Sequence, residues 1–187
     1  MLKIGIVGME RIGKTTLIHE TISLLQKQGI ECLFLPEITM QPNTISAPMG
    51  SPISQRPYIF EQMAQEDKMM ASELDKILIV DRTPLDSLIY YIELEDKPIA
   101  ENVIDFVYAW MRTYDLIFHI ETGTLEAIKL NQHYTKVDAK KRVQRAEQME
   151  IAVDVIERTC NVVRDKKNLI TAKHTANSIA ELYKESL

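Results

Sequence analysis

Cysteine is scarce: of 187 residues only Cys32 and Cys160 are thiols, and neither has the paired spacing of a metal-ligand set. No zinc site follows, and the expectation is two reduced core thiols in a cytoplasmic protein. Long apolar runs are lacking as well. Nothing approaches the ~18 residues needed to cross a bilayer, and Ile4 to Val7 is too short for the core of a secretion signal, so no membrane association is expected. Positive charge is in deficit, 22 basic against 27 acidic residues for a net −5, which argues against a nucleic-acid partner. There is no internal repeat and no low-complexity tract.

What is present is ordinary globular material. Hydrophobic residues at 45% and charged residues at 26% match a soluble chain, and the length suits a single domain over 1–187. The charge deficit is uneven. Lys129, Lys136, Lys140, Lys141, Arg142 and Arg145 stand against Asp138 alone, so positions 129–145 carry +5 and the rest −10. That stretch either faces an anion or is a solvated basic helix start.

Strand and helix patterns alternate. "LKIGIVG" is apolar at nearly every position, as in a parallel strand buried on both faces, and "ECLFLP", "KILIVD" and "DLIFHI" follow, with "NLIT" as a shorter fifth. Helical spacing predicts helices over about 14–28, 58–74, 85–94, 100–112, 143–164 and 176–187. The first should end at Gly29, and the fifth carries Val143, Ala146, Met149, Val153, Ile156, Cys160 and Val163 on one stripe. Five prolines (Pro36, Pro42, Pro48, Pro52, Pro57) crowd the connection after the second strand, a loop length that is usually functional. The alternation predicts an α/β sheet covered by helices on both faces, with ligands beyond the carboxyl ends of the strands.

Gly8 to Thr15 reads "GMERIGKT", a complete G-x-x-x-x-G-K-[ST] match in the first strand-to-helix turn, where the chemistry requires it. Successive backbone N–H groups of Gly8, Met9, Glu10, Arg11, Ile12 and Gly13 and the helix start would converge on phosphate oxygens. Lys14 would reach the β- and γ-phosphates and Thr15 would bind Mg²⁺, while Thr16 would hold the loop or an α-phosphate.

With "PEIT" after the second strand and "DRTPLDSLIYY" after the third, the chain resembles the P-loop nucleoside and nucleotide kinases, including deoxynucleoside, thymidylate and nicotinamide riboside kinase-type domains. The resemblance covers most of the chain. It implies the three-layer α/β/α P-loop NTPase fold with a central parallel sheet of about five strands, an acceptor-binding insertion at about 36–75 and a helical lid at about 129–145. It also implies an ATP- and Mg²⁺-dependent phosphotransferase acting on a nucleoside or nucleoside monophosphate. Glu37 would be the base for the attacking hydroxyl, or else a solvated loop acid or cap. Asp81 would hold Mg²⁺, cap the helix opening at Pro84, or do both, and Arg82 would contact phosphate. Arg142 and Arg145 are the lid arginines. Tyr58, Phe60 and Gln65 would wall the acceptor pocket, although at this helical spacing residues such as Tyr58 and Phe60 more often belong to the core. The loop "TAKHTAN" would border adenine, and a homodimer through the helices after Asp81 is expected on the resemblance alone.

"PEIT" departs from thymidylate kinases, which carry an arginine-containing acidic motif ending in Pro-Gly there, and this favours a nucleoside-type acceptor. Two other classes are a regulatory GTPase, for which "TKVD" at 135–138 imitates a guanine-reading motif, and an ATPase or ATP-binding module without an acceptor. "KLNQHY" before the imitation is polar where a buried strand is required, and no D-x-x-G follows the third strand. His19, His119, His133 and His174 form no local constellation and are assigned surface or core roles.

Overall fold

The computed structural model describes residues 1–38, 52–72, 76–94, 101–121, 136–165 and 170–186. Strands β1 (Leu2–Val7), β2 (Cys32–Leu35), β3 (Ile77–Asp81), β4 (Leu116–His119) and β5 (Val162–Arg164) form one sheet in the order β2-β3-β1-β4-β5. All pairings are parallel. Among the described residues six helices surround it: α1 (Lys14–Lys27), α2 (Pro52–Ser72), α3 (Pro84–Leu94), α4 (Glu101–Met111), α5 (Lys136–Ile156) and α6 (Ala172–Glu185).

Every β1 residue is buried, because strand alternation sends successive side chains to opposite faces and both faces are covered. Ile4 and Ile6 pack with Ile77, Ile79, Leu116 and Phe118 against Ile18 and Leu25 of α1 and Ala176, Ile179 and Ala180 of α6. Val7, Leu78, Val80 and Ile117 pack on the other side with Met63 of α2, Leu88 of α3, Val107 of α4 and Val153 of α5. The register sets Ile6 opposite Asp81 and Val7 opposite His119. The carboxyl ends of β3, β1 and β4 therefore finish level, and the chain leaves all three into one region.

Four sequence expectations move. The helix expected over 143–164 begins at Lys136 and closes at Ile156, where Thr159 N and Cys160 N both bond to the Ile156 carbonyl. Its supposed last turn is β5, since the β-branched pair Val162-Val163 adds to β4 and, over a few residues, fits strand or helix spacing alike. "NLIT" is accordingly not the fifth strand: Ile170 and Thr171 lead into α6, and Asn168 and Leu169 lie outside the described residues. "TAKHTAN" is not a loop but the start of α6, capped by Thr171 accepting from His174 N at 3.2 Å. Pro52 and Pro57 belong to α2 rather than to the preceding connection, and Pro52 at its first position suits a fixed φ and a missing N–H. The described part of the expected lid, 136–145, is the beginning of the single helix α5, as is most of the "TKVD" imitation. Positions 129–135, with Lys129, His133 and Thr135, and the prolines Pro42 and Pro48 lie outside the described residues.

Candidate functional site

The loop from Gly8 to Gly13 is built from backbone conformations that ordinary residues avoid. Gly8 has φ +144 and Gly13 φ +91, and a Cβ on Gly8 would stand 2.6 Å from the Ile120 carbonyl oxygen and 2.8 Å from Ile12 Cδ1. Only glycine fits there. Between them Arg11 has φ +59, and across the cavity Arg82 has φ +66. Left-handed geometry at a non-glycine residue costs on the order of 1–3 kcal/mol and persists where surrounding structure imposes it. Both arginines line the same cavity.

Gly13 is the N-cap of α1, and no side chain there accepts from the first turn of the helix. Those amides and the positive end of the helix dipole face the cavity. Lys14, 5% exposed, turns its ammonium back on the loop and donates to the carbonyls of Gly8 and Met9, both at 2.7 Å. Burial holds the Lys14 pKa below its ordinary value, against the pull of Asp86, Asp81 and Glu37. Thr15 Oγ1 donates to Asp81 Oδ2 at 2.5 Å, so a hydroxyl and a carboxylate meet where β3 ends. Arg82 pairs with Glu37 at 2.9 Å. Burial works against the guanidinium's charge, but Glu37, Tyr90, Asp86 and Glu10 outweigh it and raise its pKa.

Glu10, Arg11, Gly13, Lys14, Thr15, Thr16, Glu37, Asp81 and Arg82 line one cavity of about 230 Å³. At its rim Glu10 accepts from Tyr90, its carbonyl accepts from Arg142 Nη2 at 2.6 Å, and its carboxylate meets Arg145 at 3.4 Å. Burial pushes the Glu10 carboxyl up, yet the Tyr90 hydroxyl and the two guanidiniums pull harder and leave it below its ordinary value. The Tyr90 ring lies under Arg82 at 5.4 Å and under Arg145 at 4.6 Å.

The structure thus gathers most of the residues singled out from sequence. Lys14, Thr15, Thr16, Glu37, Asp81 and Arg82 share the cavity, Arg142 and Arg145 reach it through Glu10, and Met9 plugs the core beneath the loop. Tyr58, Phe60 and Gln65 do not line it. Tyr58 is half-buried against the core, Phe60 sits 5.9 Å from the Phe106 ring, and Gln65 donates to Glu61 on its own helix.

Two residues went unread. Asp86, 1% exposed, accepts from Gly8 N at 3.1 Å and from Thr83 N at 2.8 Å, tying the loop to the start of α3. Burial raises its carboxyl, opposed by Lys14, Arg82 and those amides. The signal was in the sequence, since Thr83-Pro84-Leu85-Asp86 is a [ST]-x-x-[DE] box before an apolar run. Tyr90, the other, had no local signal.

Mg²⁺ and a nucleotide phosphate, the groups the resemblance implies, fit the residues present. Thr15 and Asp81 offer converging hard oxygens, and the Gly8 cradle with the uncapped helix start offers amides to an anion. The arrangement is equipped to hold a polyanion beside a divalent cation.

No protein-family model and no curated protein sequence matches the chain. Among solved structures it is similar to the YorR protein of Bacillus subtilis, crystallised in complex with phosphorylated GDP, with a TM-score of 0.60 at 12% identity over 97% of this chain and 95% of that one. At that identity the likeness is one of fold, in this chain an α/β architecture built on a five-stranded parallel sheet.

Proposed function

We propose that the chain is a P-loop kinase that transfers the γ-phosphoryl group of Mg-ATP to a nucleoside-like or nucleotide-like acceptor. One observation carries the reading: the loop amides, Lys14, the Thr15–Asp81 pair and the Glu37–Arg82 pair line a single cavity at the carboxyl end of the sheet. Phosphoryl transfer needs a cradle for the phosphates, a cation beside them, and a base within reach of the attacking hydroxyl. Mg²⁺, when bound, supplies neutralising charge to phosphate oxygens. Lys14 and the loop amides hold the phosphates, and Thr15 and Asp81 ligate the cation. Glu37 takes the acceptor's proton while Arg82 keeps its carboxylate oriented. Arg142 and Arg145, brought to the loop by Glu10, stabilise negative charge as it redistributes during transfer. The nucleotide crystallised with YorR lends support to a nucleotide in this cavity.

The test is an acceptor panel. Purified protein with Mg²⁺ and either ATP or GTP is offered nucleosides, deoxynucleosides, nucleoside monophosphates and nicotinamide riboside, and both the nucleoside diphosphate and the phosphorylated product are followed. Acceptor-dependent product supports the kinase and names its substrate. Hydrolysis that no acceptor alters would replace it with an ATPase or switch protein.

A further inference from the structure

His119, the last residue of β4, is 1% exposed. Among the described residues its Nδ1 has no hydrogen-bond partner, and its Nε2 stands 3.5 Å from Glu150 Oε1 on α5. Glu121 lies two residues further along the chain, and one ligand atom from each of the three residues falls within 4.8 Å of the others. Burial and then the neighbouring Arg164 hold the imidazole pKa below its ordinary value. The buried ring thus keeps one nitrogen unpartnered beside two carboxylates.

The surroundings are arranged to aim Glu150. Its Oε2 accepts from Arg164 Nη1 at 3.0 Å, leaving Oε1 on the imidazole side. Arg164 is itself held by Asp154 and by Glu157 at 3.1 Å. Three carboxylates, Glu150, Asp154 and Glu157, therefore face one guanidinium, with Glu121 beside Glu150 as a fourth, an excess that a divalent cation would offset. Burial and the nearby charge of Glu121 raise the Glu150 carboxyl, as crowding of like charges does.

We propose that His119, Glu121 and Glu150 bind a divalent transition-metal ion of the Zn²⁺ type between the end of β4 and the middle of α5. One imidazole nitrogen with two carboxylate oxygens is a mixed set that suits Zn²⁺ better than Mg²⁺ or Ca²⁺, which prefer oxygen throughout. Around a tetrahedral Zn²⁺ at bond lengths of ~2.0–2.2 Å, ligand atoms lie ~3–4 Å apart, so the three groups need to close by only about 1 Å. Arg164 serves as the outer partner that fixes a ligating carboxylate. A cation here would clamp to the sheet the helix that carries Arg142 and Arg145. The site shares no residue with the Thr15–Asp81 pair and stands independently of the kinase reading.

The experiment uses the full chain, stripped with a chelator and titrated with Zn²⁺ by calorimetry in excess Mg²⁺. We expect one Zn²⁺ per chain, a Zn²⁺-dependent rise in melting temperature, and visible absorption when Co²⁺ replaces it. Glu121→Gln and Glu150→Gln should each weaken Zn²⁺ binding at least about tenfold, while His174→Ala, Cys32→Ser and Asp81→Asn leave it unchanged. His119→Gln should remove the site; because that residue is buried, the two glutamate variants, checked for folding by circular dichroism, decide the matter if His119→Gln does not fold. Absence of saturable Zn²⁺ binding, or binding indifferent to both glutamate variants, would overturn the proposal.

Discussion

Two buried lysines stand at opposite ends of the sheet, and their surroundings differ in kind. Lys3 on β1 pairs with Glu66 of α2 at 3.1 Å, both side chains almost without exposure. Glu66 also accepts from Gln62, Trp110 and Tyr114, while the ammonium lies over the Trp110 and Tyr114 rings at 4.8 and 4.4 Å. Charges cancel, the carboxylate has four donors, and neither Lys3 nor Glu66 departs from negative φ. Lys14 is buried as deeply but lies among Glu37, Asp81, Asp86 and Arg82, beside a cavity, with left-handed residues at Arg11, Gly13 and Arg82. Burial of charge does not separate a site from a structural clamp. A charge cluster that closes on itself without strain holds the fold together; one that opens on a strained cavity is equipped to receive a ligand.

The largest effect should come from breaking the closed cluster. Glu66→Leu leaves Lys3 charged and buried without its carboxylate, which should cost about 3–5 kcal/mol in urea unfolding. Adding Lys3→Met to Glu66→Leu should recover only the part of that loss due to the stranded ammonium, because Gln62, Trp110 and Tyr114 still lack the acceptor they had. Nucleotide affinity of the folded fraction should stay at the wild-type value in both. If affinity fell with stability, the two ends of the sheet would be coupled and the contrast would fail.

Lys14→Met is the counterpart at the open end. It should lower acceptor-dependent turnover about 10²- to 10³-fold, as loss of one charge-stabilising donor does, with a much smaller change in unfolding free energy. Steady-state kinetics beside a urea melt measures both. Unchanged turnover from a folded variant would remove Lys14 from the phosphate site.

What the sequence disclosed follows the same division. The turn from Gly8 to Thr15, with Lys14 and Thr15, is legible because one short contiguous pattern spans it, and Asp81 because it ends an apolar strand run. The Glu37–Arg82 pair could be named only as two separate residues, each just past a strand, since their 2.9 Å contact depends on how β2 and β3 pair. Glu10 and Tyr90 are 80 positions apart, and His119, Glu121 and Glu150 meet only because β4 abuts α5, so local spacing could not reveal either group. β5 was misplaced because three β-branched or charged residues after a helix satisfy two periodicities, and the choice between them is made by the edge of β4. The Lys3–Glu66 clamp joins β1, α2 and α4 and left no motif at all.

Glu37→Gln sharpens the open site further. With a hydroxyl acceptor, loss of the base should lower turnover about 10²-fold. A phosphate acceptor brings its nucleophile already ionised and should lose much less. Equal small losses with both would leave Glu37 as the partner that orients Arg82 and nothing more.

The smallest expected effect tests whether the rim of the open site is held by its own charges. The Tyr90 hydroxyl donates to Glu10, and Tyr90→Phe removes that bond while keeping the ring beneath Arg82 and Arg145. Folded Glu10 titrates below the ordinary 4.5, with burial opposing and the Tyr90 hydroxyl leading the lowering. A carboxyl whose folded pKa is depressed adds stability that is present above its unfolded pKa and lost as pH falls through the folded one. Tyr90→Phe should therefore cost about 1 kcal/mol at neutral pH, and the gap from wild type should narrow as urea melts are repeated at lower pH, closing once Glu10 is protonated in both. A gap that kept its size in acid would assign the loss to packing around the ring, and the rim would then resemble the closed cluster at the other end of the sheet.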